Sequence, residues 1–350
     1  MGVGRGIKVA VIGIDHRHAF SMLSGMQDAG CDAVAWWTDG SPVPLGDFIA
    51  RFPDVPRVDD VRTILDDPTI DMVLLSGIPR DRCALAIAAM EAGKHVMTDK
   101  PGCVSLAELD QIRDAVARTG RIWSVNYGEH FEIPCVLKAG DLIAQGAIGR
   151  VVQTIGLGPH RINKPSRRPW FYERSGHGGI LADIGSHQID QFMFFTGAKT
   201  AEIVSATIAN YANPETPGLE DFGEILLRSD RAHGYIRLDW YTPDALPAHG
   251  DGRLTILGTE GFIELRKYVD VAGRPGTDHL FLTNGTRCEH IDCSAVPLTY
   301  FERLCDDIEN HTETAMTQAH SFEVMRLALT AEAMATRLGN LAPQSAPQHA

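Results

Sequence analysis

Five short, nearly continuous apolar runs divide the first third of the chain: IKVAVIG (7–13), DAVAWW (32–37), DMVLLSG (71–77), KHVMT (94–98) and RIWSVN (121–126). Segments with helical periodicity separate them. RDRCALAIAAMEAG (80–93) and SLAELDQIRDAVARTG (105–120) both end on glycine, the residue that most readily closes a helix in the left-handed conformation. Ser105 followed by Glu108 has the spacing of a capping box. Apolar strands without polar alternation, separated by amphipathic helices, are buried together as a parallel sheet covered on both faces. The sequence therefore predicts a Rossmann-like, doubly wound α/β domain over 1–126.

Sheets of this kind bind ligands at the carboxyl ends of their strands. TDKPG (98–102) falls there, just past the fourth run. Proline cannot donate to a ladder and disfavours helical geometry in the residue before it, so Pro101 ends the strand and presents Lys100 on a stiff turn. The neighbouring Asp99 is the expected ion-pair partner of that lysine. The plainer reading is a loop cap made by the same pair. After the first run a dinucleotide fold calls for G-x-G-x-x-G, and the chain reads GIDHRH. Gly13 is present, while Asp15 and His18 stand where the second and third glycines belong. Arg17, at the start of the next helix, could meet a phosphate, and His16 and His18 could donate hydrogen bonds. Asp39, in WTDG after the second run, is the candidate for the ribose hydroxyls, with Thr38 beside it. An ordinary turn is the alternative for both.

After Asn126 the pattern changes. FEIPCVLKAGDLIAQGAIG reads as a helix leading into RVVQTIGLG, and a basic loop (159–179) precedes a second helix, GGILADIGSHQIDQFMFFTG. Then come AEIVSATIANY, DFGEILLRS, AHGYIRLDWY, GRLTILGTEGFIELRKY and HLFLTNG, joined by short turns, which predicts a mostly antiparallel sheet. Two helices close the chain near 297–310 and 316–338. The expected organisation is a second, α+β domain over 127–340 for substrate binding and oligomerisation, and a disordered tail over 341–350. In ILADIGSHQID, Asp183 and His187 are four residues apart and share one helical face, with Asp190 a turn further on. A carboxylate beside an imidazole suits proton transfer from a hydroxyl. A structural, hydrogen-bonded helix pair is the plainer alternative.

The 350 residues suggest about two domains. The net charge of −13 argues against a nucleic-acid partner, which needs a basic surface. No apolar run reaches membrane-spanning length, so no membrane partner is expected. Seven cysteines without an export signal predict a cytoplasmic protein with reduced thiols. The densest thiol stretch, CEHIDC (288–293), fits no zinc spacing and reads as an edge strand. No metal site is expected.

Three motifs together carry a family resemblance. AIAAMEAGKHVMTDKPG resembles the A-L-x-A-G-K-H-V-x-x-E-K-P signature of the glucose–fructose oxidoreductase and inositol dehydrogenase (Gfo/Idh/MocA) family, with Asp99 in place of the glutamate. GGILADIGSHQID resembles its G-G-G-x-L-x-D-x-G-x-H-x-x-D, and RLTILGTEGFIEL its sheet strand with a G-T-x-G turn. LDDPTIDMVLLSGIP, with Ser76 and Pro79, resembles the stretch leading into the family's third crevice loop. The resemblance spans nearly the whole chain. It implies an NAD(P)-dependent dehydrogenase or reductase acting on the CH–OH group of a sugar, polyol or sugar acid. Lys100 would contact the reacting hydroxyl and depress its pKa, His187 would be general base in oxidation and general acid in reduction, and Asp183 would bind the hydroxyl or relay its proton. Gly13, Asp15, His16, Arg17, His18, Thr38, Asp39, Ser76, Pro79 and Asp99 would border the cofactor. Asp39 would repel a 2′-phosphate, which favours NAD over NADP.

The chain departs from the family in GIDHRH, in Cys83 where a histidine is often found, and in NYGEHF before the second domain, where Tyr127 and Glu129 are crevice candidates. The basic loop places Arg161, Lys164, Arg167 and Arg168 beside Trp170 and Phe171. Arginine favours carboxylate or phosphate and tryptophan a sugar face, so Arg161, Arg168 and Trp170 join Tyr127 as substrate candidates. A solvated loop is the alternative. Two other functions fit the same fold: retained NAD used for transient oxidation during glycosidic bond cleavage, and a non-catalytic ligand sensor. A homodimer or homotetramer, paired through the open face of the second sheet, is the expected assembly.

Overall fold

The computed structural model describes residues 4–339. Each of the five apolar runs folds as a strand: β1 (Lys8–Ile12), β2 (Asp32–Trp37), β3 (Met72–Leu75), β4 (His95–Asp99) and β5 (Trp123–Asn126). They form one parallel sheet in the order β2-β1-β3-β4-β5. β3, β4 and β5 are buried along their whole length, which is why their sequences show no alternation. The helices of this part are α1 (His18–Asp28), α2 (Leu45–Arg51), α3 (Arg62–Leu65), α4 (Pro79–Glu91) and α5 (Leu106–Thr119). The capping box is formed: Ser105 Oγ accepts from Glu108 N at 3.2 Å, and Glu108 Oε2 accepts from Val104 N at 2.7 Å. The strands are added to one side of β1 and then, from β3 on, to the other, so the switch point of the sheet lies beside the turn after β1.

The second part starts with α6 (Gly128–Phe131) and α7 (Pro134–Ala144), two helices where one was expected, separated at Pro134. β6 (Val151–Pro159) leads to the basic loop, which carries α8 (Arg174–His177). The next helix is also broken, into α9 (Ile180–Asp183) and α10 (Gly185–Thr196). There follow β7 (Glu202–Ala209), β8 (Phe222–Arg228), β9 (His233–Asp239), β10 (Arg253–Gly258), β11 (Gly261–Arg266), β12 (His279–Asn284) and β13 (Cys288–Ile291). α11 (Tyr300–Asn310), α12 (Gln318–Met334) and the short β14 (Thr336–Arg337) complete the described chain. The tail expected over 341–350 lies outside the described residues.

The nine strands run in the order β13-β12-β11-β10-β6-β9-β8-β7-β14. The sheet is mostly antiparallel, but β6 pairs with β9 in parallel, as does β14 with β7. CEHI is its edge strand, with Cys288 exposed, while Cys293 lies beyond it and is buried. One core is continuous from the parallel sheet through α9, α10 and α12 to β7, β8 and β9; a smaller one lies between α7 and β10, β11 and β12. α12 ties the two parts together, stacking Phe322 on Trp123 of β5 with ring centres 5.3 Å apart. No helix of the described residues is long and apolar enough to cross a membrane.

Candidate active site

β4 ends at Asp99, and successive residues of an extended chain project to opposite sides, so Asp99 and Lys100 part company. Lys100 is not paired with Asp99. Its Nζ donates to Asp183 Oδ1 at 2.8 Å, with both side chains buried. Burial alone would raise the Asp183 carboxyl, but the Lys100 ammonium holds it well below the usual carboxylate range. The Lys100–Pro101 peptide is cis. The turn is stapled by a residue that the sequence did not single out. Arg82, buried on α4, donates from Nη1 to the carbonyls of Asp99, Lys100 and Pro101 at 2.7, 2.8 and 2.9 Å, and from Nε to Gly77 O at 2.9 Å. Nothing in the spacing of IPRDRC distinguishes this arginine from the exposed Arg80 two residues before it.

Asp99 is the hub of the other side. It accepts from Arg82 Nη2 at 3.1 Å and from Ser76 Oγ at 3.4 Å, and its two oxygens lie 2.7 and 2.8 Å from His18 Nδ1 and His16 Nδ1. Burial pushes its carboxyl up, and His16, His18 and Arg82 together bring it well below the ordinary value. GIDHRH thus turns its two histidines onto the end of β4. Gly13 has φ +78°, and a Cβ there would meet Gly77 Cα at 2.5 Å, so the turn requires glycine. Thr38 is buried, with Oγ1 accepting from Ile14 N at 3.4 Å, whereas Asp39 is exposed at the end of β2. Arg17 pairs with Asp47 at 2.6 Å on the surface, and Pro79 is the first residue of α4. Burial raises the Asp15 carboxyl to about 6 against the opposing charge of Arg82. Cys83 points away from the crevice, its Sγ 3.6 Å from Glu108 O.

The break at Ile184 changes the relation expected between Asp183 and His187. Asp183 closes α9 and is committed to Lys100, while His187 sits on α10 with its buried Nδ1 unpaired. Burial lowers the His187 imidazole to about 3, Glu129 opposing and Lys100 adding to the shift, so the ring is neutral at physiological pH. The Tyr127 ring lies 6.1 Å from it, with the hydroxyl buried and unpaired. Asp190 bridges elsewhere, to His130 Nδ1 at 2.8 Å and His320 Nε2 at 2.7 Å, joining α6, α10 and α12.

His187 faces a cavity of about 380 Å³, within the range of small-molecule sites. His18, Glu129, His160, His249 and Tyr268 line it with His187. Glu129 is anchored by Lys267 Nζ at 2.7 Å and Gln188 Nε2 at 2.9 Å, and the Lys267 ammonium holds its carboxyl well below the usual range against its burial. Lys267 and His160 were not legible as site residues, because their segments reach one wall only through β10, which pairs with β6 on one side and β11 on the other. The basic loop is largely engaged in structure. Arg161 Nη2 donates to Pro243 O and Leu246 O at 2.8 and 2.6 Å, Arg168 Nη2 reaches Ser41 O at 3.3 Å, and Trp170 packs edge-on against Phe171. Arg167 stacks over Phe171 and Trp240.

Residues 7–127 match the profile of an oxidoreductase family with an NAD-binding Rossmann fold, and residues 136–264 match the Gfo/Idh/MocA C-terminal domain. A solved putative oxidoreductase from Erwinia carotovora atroseptica is 40% identical over 95% of this chain and 100% of that one, with a TM-score of 0.92. The chain belongs to the Gfo/Idh/MocA family. Among curated Gfo/Idh/MocA relatives, levoglucosan dehydrogenase from Pseudarthrobacter phenanthrenivorans is 31% identical over 182 residues, 51% of this chain and 46% of that protein. The NAD-linked scyllo-inositol 2-dehydrogenase of Bacillus subtilis is 28% identical over 73% of each. The chain spans about half the length of the first of these relatives that it matches. A solved levoglucosan dehydrogenase with NADH and levoglucosan shares the fold, with a TM-score of 0.76 at 20% identity.

Proposed function

We propose that this Gfo/Idh/MocA protein is an NAD-dependent dehydrogenase or reductase acting on a carbinol or carbonyl carbon of a sugar, polyol or sugar acid. The observation that carries the reading is the buried Lys100–Asp183 pair at the end of β4 together with a neutral, unpaired His187 on a polar cavity wall. The residues at the switch point fit a dinucleotide. The Gly13 turn lets the backbone approach Gly77, α1 starts without a side-chain cap, and Asp39 is free to meet ribose hydroxyls. The nicotinamide, when bound, supplies the hydride acceptor or donor.

The chain's own residues handle the proton. Lys100, held by Asp183, stabilises negative charge developing on the substrate oxygen. His187 is neutral and takes the hydroxyl proton in oxidation, returning it in reduction. Glu129 and His160 on the cavity wall bind further hydroxyls, and their mixture of charged acceptor and imidazole suits a polyhydroxylated ligand. The outer face of the large sheet exposes Val204, Leu226, Leu257 and Phe262, which supports pairing of two copies across it.

Titration with NADH and NADPH, followed by nicotinamide fluorescence, tests the reading before any substrate is known. Saturable binding with NADH the tighter ligand is expected, and Asp39→Ser should narrow that preference at least about tenfold by removing the repulsion of a 2′-phosphate. Absence of binding by either dinucleotide to folded protein would overturn it.

A further inference from the structure

His16, His18 and Asp99 do more than fill the place of a glycine-rich turn. Their ligating atoms all lie within 4.8 Å of one another, and this is a group of metal-ligating type among the described residues. His16 Nδ1 is 2.8 Å from Asp99 Oδ2, and His18 Nδ1 is 2.7 Å from Asp99 Oδ1. The two rings stand at 90° with centres 4.4 Å apart, so both Nδ1 atoms face the carboxylate without the rings stacking. One detail separates this cluster from an ordinary hydrogen-bonded one. The Nδ1 of His16 is inaccessible to solvent and close to a carboxylate oxygen, yet lacks a hydrogen-bond partner of acceptable alignment.

We infer that His16, His18 and Asp99 form a binding site for a first-row divalent transition metal at the mouth of the crevice. Two imidazoles and one carboxylate on one side of an ion form the facial arrangement that leaves further positions open. Adjacent ligands about 2.1 Å from a metal are about 3 Å from one another at right angles, close to the two N–O separations. The surroundings hold the site in place. Ser76 Oγ and Arg82 Nη2 both donate to Asp99 Oδ2, which orients the carboxylate and leaves Oδ1 as its ligating oxygen, the role outer partners play around metal ligands. Arg82 and Lys100 bring two positive charges to this end of the sheet, and Asp15, Asp99 and Asp183 bring three negative ones. The open side faces the cavity: His18 lines it, and its ring is 6.4 Å from that of His187. A metal there would offer a Lewis acid to a ligand in the same cavity. The ion would sit on the turn that the proposed function gives to the dinucleotide, so its binding is tested without dinucleotide present.

Tag-free protein, stripped with a chelator and without dinucleotide, is titrated with Zn²⁺ against a chromophoric chelator and, separately, loaded with Co²⁺ for its visible spectrum. One equivalent of Zn²⁺ is expected, with ligand-field bands for the Co²⁺ form. His16→Ala and His18→Ala should each weaken Zn²⁺ binding at least about tenfold, since each removes one of three ligands. Both rings are partly exposed, so the variants should keep the wild-type circular dichroism. His290→Ala, on the edge strand, should bind as the wild type does. Less than a tenth of an equivalent bound by wild-type protein, or equal binding by a His16→Ala/His18→Ala double variant, would overturn the assignment. The Co²⁺ spectrum of the wild type decides the matter if either variant fails to fold.

Discussion

Lys100 Nζ and Asp183 Oδ1 lie 2.8 Å apart, joining the residue that follows β4 to the last residue of α9 across 83 positions of sequence. Both groups are buried, so removing one leaves the other without its counter-charge. Lys100→Ala should lower turnover by about 10²–10⁴, the usual contribution of a positioned acid–base group. It should also destabilise the fold by about 3–5 kcal/mol, as breaking a buried ion pair does. The double variant Lys100→Met/Asp183→Leu should recover most of the stability and none of the turnover. Chemical denaturation and steady-state rates, measured on all three proteins, separate the two roles. Full activity in Lys100→Ala would remove this pair from the chemistry.

The sequence made Lys100 conspicuous but misdirected its pairing. A strand end followed by proline is a local signal, and Pro101 gives it. The partner is a matter of where side chains point, and neighbours on an extended chain diverge. The five parallel strands were legible because strands buried on both faces cannot afford polar residues. The position of β6 beside β9 was not, because a parallel crossover leaves no turn signal between its partners. His160 and Lys267 are brought to one wall by β10, which pairs with β6 far away in sequence, and Lys267 then meets Glu129 of α6, so that wall was unreadable as well. Asp183 and His187 had helical spacing, but the break at Ile184 annuls the geometry that spacing implies.

Buried neutral histidines set the acid limb of stability. Burial lowers His95 to about 4 and His187 to about 3. The unfolded chain protonates such groups near 6.5, so below that pH it binds more protons than the native state. Their contribution is therefore complete above about 6.5 and is lost as pH falls toward 4 and then 3. His95 Nδ1 accepts from Ile122 N at 3.1 Å, which a protonated ring cannot do. His95→Gln should flatten the wild-type loss of stability between pH 6.5 and 4 by up to about 1.4 kcal/mol per pH unit. Urea midpoints across that window give the slope. An unchanged slope would mean that His95 protonates equally in both states.

Glu332 acts in the opposite direction. It and Glu220 converge on the start of α9: Glu332 Oε1 accepts from Leu181 N at 2.7 Å, and Glu220 Oε2 from Ile180 N at 2.9 Å. Burial, then the charge of Glu220, raises the Glu332 carboxyl to about 8, with Arg174 opposing. The native state thus holds a proton that the unfolded chain releases near 4.5. Stability from this group is full below about 4.5 and is lost as pH rises through 8. Glu332→Gln imitates the protonated form and keeps the acceptor. Its stability should exceed that of the wild type by more at pH 8 than at pH 5, as thermal denaturation at the two values would show. A constant difference would refute the shift.

Gly13 offers the sharpest test of whether the turn after β1 is built for a ligand or only for the fold. An alanine there faces two costs. The left-handed φ of +78° costs about 1–2 kcal/mol for a residue with a Cβ, and that Cβ would lie 2.5 Å from Gly77 Cα. β1 and β3 must then separate at the switch point, where the two strands begin to diverge. Gly13→Ala should lose a few kcal/mol of stability on the scale of strained backbone positions, and weaken NADH binding at least about tenfold, since a backbone shift there moves the start of α1. Gly46→Ala, with open space at its Cβ, is the control and should change neither. Loss of stability with NADH affinity intact would make Gly13 a structural glycine alone, and would move the dinucleotide contacts away from the GIDHRH turn.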